Sequence, residues 1–166
     1  MINTNKGMFI ECLVEKTISF FNENKIGYFE KRHLPIAVCS INKNKVIGKL
    51  KQKSTVDFCG IYLGKHIEFE TKQTDKDYFN FNLFKEHQIK YLIDTSLMGG
   101  ISFVIIHFFK MDKSFAISID DLIKLKDKFQ FKNISYEYFK KNYFCLELVF
   151  PGILMFNRFI DQYIKK

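Results

Sequence analysis

Proline and glycine are both scarce, with two and eight in 166 residues, and no stretch is of low complexity. Collagen-like, mucin-like and disordered-tail architectures are therefore excluded on composition. The longest apolar run, Gly99 to Phe109, falls far short of the ~18 to 20 residues that a membrane-spanning helix needs. Met1 to Lys16 lacks the basic-then-apolar layout of a secretory leader, so the expectation is a soluble, cytoplasmic protein. Cys12, Cys39, Cys59 and Cys145 form no CxxC pair, and His33, His66, His87 and His107 are equally dispersed. A disulfide framework and a structural zinc site are both disfavoured by that scatter. No internal repeat is present, and a chain that is 47% apolar can bury one sizeable core, so residues 1–166 are expected to form a single domain.

A further absence is local. Residues 31 to 56 contain no acidic side chain, while Lys31, Arg32, Lys43, Lys45, Lys49, Lys51 and Lys53 all fall there. The net charge of +8 thus resides almost wholly in this one segment. Local excess of one sign is costly unless a partner neutralises it, and a polyanion such as nucleic acid is the partner that fits.

The hydrophobic rhythm predicts a mixed α/β chain. Ile10, Leu13, Val14, Ile18 and Phe21 mark an amphipathic first helix over Gly7 to Asn22. Ile26 to His33 reads as extended. Ile36 to Ile41 and Lys45 to Lys53 flank Asn42-Lys43-Asn44, which predicts a projecting basic hairpin over 36–53 with Lys49, Lys51 and Lys53 on one strand face. Asp57 to Tyr62 and Lys65 to Gln73 form a second hairpin about Leu63-Gly64. A helix over Asn82 to Met98 stops at Gly99-Gly100, and Ile101 to Phe109 and Phe115 to Ile119 read as interior strands. Ser118 or Asp120 can cap a helix through Lys128, Ser135 another through Asn142, and Ile153 to Ile164 a last one.

The second hairpin carries chemistry. Pairing Tyr62 with Lys65 places Asp57 opposite Glu70, and like charges at a direct cross-strand position repel. The period of two puts Glu68, Glu70 and Lys72 on one face, with Ile67, Phe69 and Thr71 on the other. The residues alone leave two possibilities: the solvated face of a hairpin, or a hard divalent cation held by Asp57 and Glu70 with Lys72 reaching the same space. In the second case the metal would activate water and Lys72 would orient it or stabilise charge building on a phosphodiester. Phe79 and Phe81 lie between the Glu-x-Lys strand and the next helix, in a loop expected to border the cleft, so Phe81 is a candidate DNA contact.

Asp57 followed by Glu70-Thr71-Lys72 resembles the PD-(D/E)xK nuclease motif, and its surroundings resemble the RecU-type Holliday junction resolvases. The resemblance is carried by Gly7-Met8-Phe9-Ile10-Glu11, Lys31-Arg32-His33-Leu34-Pro35, Gln52-Lys53-Ser54-Thr55-Val56-Asp57, Phe69-Glu70-Thr71-Lys72, His87-Gln88 and Gly100 to Ile106. It runs from Gly7 to about Asp120 and, more loosely, through Pro151-Gly152 to the C-terminal helix, with a poor match over 126–150. Val56 and Cys59 depart from the usual polar residues.

That resemblance implies a restriction-endonuclease-like mixed sheet flanked by helices, with the basic hairpin as a projecting stalk. It implies Mg²⁺, with Mn²⁺ as a substitute, held by Thr55, Asp57, Glu70 and Gln88, with Lys72 as transition-state stabiliser and Glu11 near the active site. It further implies a homodimer that nicks opposing strands of a four-way junction symmetrically in recombination and repair. A strand-exchange recombinase and a branch-migration motor are its expected partners. The DNA-binding candidates are Lys31, Arg32, Lys43, Lys45, Lys49, Lys51, Lys53 and Phe81. The alternatives are a PD-(D/E)xK nuclease of other specificity and a non-catalytic module that binds branched DNA.

Overall fold

The computed structural model describes residues 8–33, 35–43, 45–51, 55–130 and 133–164. Helix α1 (Met8–Glu23) buries Ile10, Val14, Ile18 and Phe21, spaced three or four apart along one stripe. β1 (Tyr28–Lys31) follows a short turn, with the Asn22 side-chain amide bonding both the N–H and the carbonyl of Phe29 at 2.8 Å. β2 (Ile36–Asn42) and β3 (Lys45–Leu50) form the expected hairpin, and β4 (Phe58–Tyr62) and β5 (Lys65–Thr74) form the second. β6 (Tyr78–Phe79), a 3₁₀ turn over Phe81–Leu83 and α2 (Glu86–Leu97) lead to β7 (Ile101–Phe108). The chain continues with β8 (Lys113–Ser118), α3 (Ile119–Phe129), β9 (Ile134–Ser135), α4 (Tyr136–Asn142) and β10 (Phe144–Leu146). β11 (Leu148–Val149), β12 (Ile153–Leu154) and α5 (Asn157–Ile164) complete it.

Six strands make one mixed sheet in the order β1-β4-β5-β7-β8-β10, antiparallel throughout except for the central parallel pair β5–β7, whose crossover carries α2. The apolar run of β7 is buried on both faces, as interior parallel strands are. Phe103 and Ile105 join α1 and α5 on one side, while Val104 and Ile106 join α2 and α3 on the other. The mixed α/β architecture expected from the sequence is therefore present. No helix among the described residues is long and apolar enough to cross a membrane.

Ser118 and Ser135 cap α3 and α4 as expected, accepting from the Asp121 and Tyr138 amides. Two elements differ from expectation. The helix expected over 82–98 is split, because the 3₁₀ turn precedes it and α2 begins only at Glu86. The helix expected over 153–164 begins instead at Asn157, because Gly152 (φ +99°) reverses the chain and Ile153–Leu154 pairs with β11. The Leu154 amide is held by the buried Thr17 hydroxyl at 2.9 Å, which fixes that extended conformation.

The β2–β3 hairpin is a two-stranded sheet of its own. A bulge between Val38 and Ser40 shifts its register, so that Ile36, Val38, Ile41 and Val46 share one face while Lys45, Ile47 and Lys49 share the other. The first face is apolar and solvent-exposed, with Ile41 at 70% and Val46 at 59%.

Candidate active site

The Leu63-Gly64 turn, with φ of +47° and +76°, sets the β4–β5 register. Tyr62 pairs with Lys65 and Phe58 with Phe69, so Asp57 lies one step beyond the ladder, beside Glu70. The Asp57 N–H donates to Glu70 Oε2 at 3.1 Å. The Asp57 carboxylate accepts from the Thr71 amide (3.0 Å) and hydroxyl (2.9 Å), which ties the end of β4 to β5.

Glu70 is fully buried, as is Glu68. The possibility of a solvated hairpin face is thereby removed: α2 covers the side of β5 that carries both carboxylates. Gln88 Nε2 donates to Glu70 Oε1 at 2.7 Å, and Lys72 Nζ is ion-paired to the same oxygen. The Lys72 ammonium also lies 5.9 Å from the centre of the Phe84 ring. Burial, then repulsion from Asp57, pushes Glu70 up to about 7, and Lys72 and the hydrogen bonds only partly oppose this. A carboxyl so placed exchanges its proton near neutral pH.

The two carboxylates and the amide of Gln88 brought together here are oxygen donors that suit a hard divalent cation, and Thr55, two residues before Asp57, is partly buried. Gln88 Oε1 accepts from the Lys85 amide at 3.3 Å while its nitrogen faces Glu70, so a metal-ligating role requires the amide to turn. Among the described residues no three His, Cys, Asp or Glu side chains cluster at metal-binding spacing. Two carboxylates with neutral oxygens and waters is the sparse donor set that Mg²⁺ accepts.

The other expected site residues are distributed around this cluster. Glu11 pairs with Lys31 at 3.0 Å, and Lys31 also pairs with Glu15. Burial acts to lower the Lys31 ammonium, but the Glu15 and Glu11 carboxylates outweigh it and hold it at about 12. No hydrogen bond or ion pair among the described residues joins Glu11 directly to Asp57 or Glu70. Arg32 is anchored by its backbone N–H on the Asp57 carbonyl (2.8 Å), and its guanidinium lies on Glu68 and the Tyr91 ring. Lys45 and Lys49 lie on the basic face of the hairpin, Lys43 in its turn (φ +51°) and Lys51 just past β3. Lys53 lies outside the described residues, as do Gly7, Leu34, Asn44, Gln52 and Ser54.

Phe81 is corrected. Its ring is 5% exposed, packed edge-on to Phe79 at 6.0 Å and against Phe84, and the cavity it helps to line, with Ile89 and Leu122, is not that of Asp57 and Glu70. The flanking Asn80 and Asn82 close a tight turn through the Asn80 side chain, and that turn directs Phe81 into the core. Sequence reasoning did not select Glu68, Tyr91 or His66. Glu68 Oε1 meets His66 Nε2 at 2.9 Å and the Tyr91 hydroxyl at 3.0 Å. The available signal was that Glu68 shares the strand face of Glu70, and Tyr91 the helix face of Gln88, one turn on.

The chain matches the family described as RecU, Recombination protein U, over residues 5–162. A Holliday junction resolvase RecU of Ureaplasma parvum serovar 3 is 37% identical over 162 residues, covering 98% of this chain and 95% of that protein. The protein of the same name from Mycoplasmopsis pulmonis is 34% identical over 164 residues, 99% of each chain. One from Lactiplantibacillus plantarum is 34% identical over 130 residues, 74% of this chain and 63% of that protein.

Proposed function

Because the chain belongs to the RecU family, we propose that it is a Holliday junction resolvase. In this reading it is a Mg²⁺-dependent endonuclease that nicks opposing strands of four-way DNA junctions in recombination and repair. The observation that carries the reading is the buried Glu70 carboxylate beside Asp57, with Lys72 and Gln88 on the same oxygen. A purely DNA-binding surface gains nothing from burying a carboxylate near an anionic ligand, whereas phosphodiester hydrolysis uses one.

Asp57 and Glu70, with Thr55 and the turned amide of Gln88, would hold Mg²⁺. Bound there, the ion supplies Lewis-acid polarisation of a phosphoryl oxygen. Lys72, partly exposed and confined between Glu70 and the Phe84 ring, presents its ammonium to charge that builds on the phosphoryl oxygens. Glu70, poised near neutrality, gives up its proton as the site is loaded. The basic face of the β2–β3 hairpin, with Lys45 and Lys49, lies along the phosphate backbone. Its opposite, exposed apolar face supports a homodimer in which two hairpins cover one another, giving the two sites needed for symmetric nicking. A cytoplasmic location, with a strand-exchange recombinase and a branch-migration motor as partners, completes the reading.

The test is nicking of a synthetic mobile four-way junction and a matched linear duplex, with Mg²⁺ or chelator, by wild type and Asp57→Ala. Symmetric, Mg²⁺-dependent nicks in the junction alone, lost in Asp57→Ala with binding retained, support the reading. Equal cutting of the duplex points to a nuclease of other specificity. Junction binding without nicking in any divalent metal points to a non-catalytic module.

A further inference from the structure

Strand β5 and helix α2 are joined by two parallel rungs. In the first, Glu70 meets Gln88 and the Lys72 ammonium. In the second, two residues earlier on the same strand face and one turn later on the helix, Glu68 meets Tyr91 and the Arg32 guanidinium. Each rung consists of a fully buried carboxylate, a donor from α2 and a partly exposed cation. The backbone positions of the two glutamates are about 6.6 Å apart along the strand.

Glu68 is as fully buried as Glu70, but its bonds run to Arg32, Tyr91 and His66, whereas those of Glu70 run to Asp57, Lys72 and Gln88. A buried charge requires partners, and Glu68 has three: Arg32, Tyr91 and His66. The described bonds of the guanidinium use Nε, at 3.3 Å from Glu68 Oε2, and Nη2, which meets Glu68 Oε1 and the Tyr91 hydroxyl; none uses Nη1. The Tyr91 ring lies under the guanidinium carbon at 5.6 Å. Arg32 is therefore fixed in plane and tilt while its side chain stays 32% exposed, and its backbone is tied to Asp57.

We propose that Glu68 is a positioning residue, which with Tyr91 holds Arg32 so that its guanidinium grips the backbone phosphate next to the one facing Lys72. The proposal rests on the resolvase reading above and adds to it the means by which the substrate strand is held in register. A pre-set guanidinium loses little freedom when the phosphate arrives, so removing its support weakens substrate binding more than chemistry.

The experiment is a double-variant cycle with Glu68→Gln, Arg32→Ala and both together, read by steady-state junction nicking and by junction Kd in chelator. Glu68→Gln keeps the volume and removes the charge. It is expected to raise KM and Kd about tenfold with kcat changed far less, and the double variant is expected to be no worse than Arg32→Ala alone. Arg32→Lys, which cannot span both partners, is not expected to restore affinity. Additive losses in the double variant, or an unchanged KM and Kd in a folded Glu68→Gln protein, would overturn the proposal. If Glu68→Gln does not fold, Tyr91→Phe takes its place, with a severalfold rise in Kd expected and an unchanged Kd counting against it. If wild type binds junctions but nicks none, the resolvase reading fails while the Kd cycle still decides the role of Glu68. If wild type binds no junction at all, both fail.

Discussion

Mg²⁺ binding should depend steeply on pH below neutrality, because one of the carboxylates proposed to hold the ion must first lose a proton. Glu70 stands at about 7 in the fold against an ordinary 4.5, raised by burial and then by Asp57. With that value about a tenth of the protein carries an ionised Glu70 at pH 6 and about a hundredth at pH 5, so the apparent Mg²⁺ affinity should fall roughly tenfold per pH unit below 7 and level off above 8. At Mg²⁺ well above its Kd, that is about 1.4 kcal/mol of stabilisation lost per unit. For a chain of this length it corresponds to a Tm increment that shrinks by about 3 to 6 °C per unit. The metal-free protein should behave oppositely. A carboxyl whose folded value is raised keeps its proton longer when folded, so its contribution to stability is lost as pH rises from 4.5 to about 7. Thermal unfolding in Mg²⁺ and in chelator, at matched ionic strength from pH 5 to 8.5, separates the two effects by difference. An increment that does not change between pH 6 and 8 would refute the reasoning, as would one that survives intact in Glu70→Gln.

Phe81→Ala should cost about 3 kcal/mol of folding stability, since it deletes a ring that is 5% exposed, and denaturant unfolding should show this as a lowered midpoint. Lys45→Ala with Lys49→Ala, which clears two ammonium groups from one face of the hairpin, should lessen the slope of log Kd against log salt for junction binding by up to about 2. An unchanged slope would take that face off the phosphates. Gly60→Ala should destabilise by about 1 to 3 kcal/mol, because a Cβ there would lie 2.4 Å from both the Phe29 ring and the Tyr28 carbonyl, and calorimetry of the variant would show it.

The β4–β5 register was legible because a two-residue turn and strict alternation leave only one pairing that buries Ile67 and Phe69 together. The caps at Ser118 and Ser135 were legible for an equally local reason, since a short hydroxyl side chain satisfies amides two or three residues on. The strand at Ile153–Leu154 was not. Its apolar spacing also suits a helix, and the choice is made by Thr17, 137 residues away in sequence from the amide it holds. Phe81 failed similarly: polar neighbours give the appearance of a surface loop, while the ring belongs to the α2–α3 core.

Glu68 shows where a sequence does hold a non-local signal. A glutamate on an alternating strand looks like a solvated charge, and nothing in β5 alone says otherwise. The covering helix says it, because Gln88 and Tyr91 are polar groups on the stripe where Leu92 and its neighbours should be uniformly apolar. Two inward polar residues three apart rise about 4.5 Å along a helix, whereas the backbone positions of two charged residues on one strand face are about 6.6 Å apart. The longer reach of tyrosine over glutamine makes up the difference. Polar breaks in a helix stripe that match charges on a strand face therefore mark buried ion networks, and here they mark both the carboxylate proposed for catalysis and the one proposed to position the DNA.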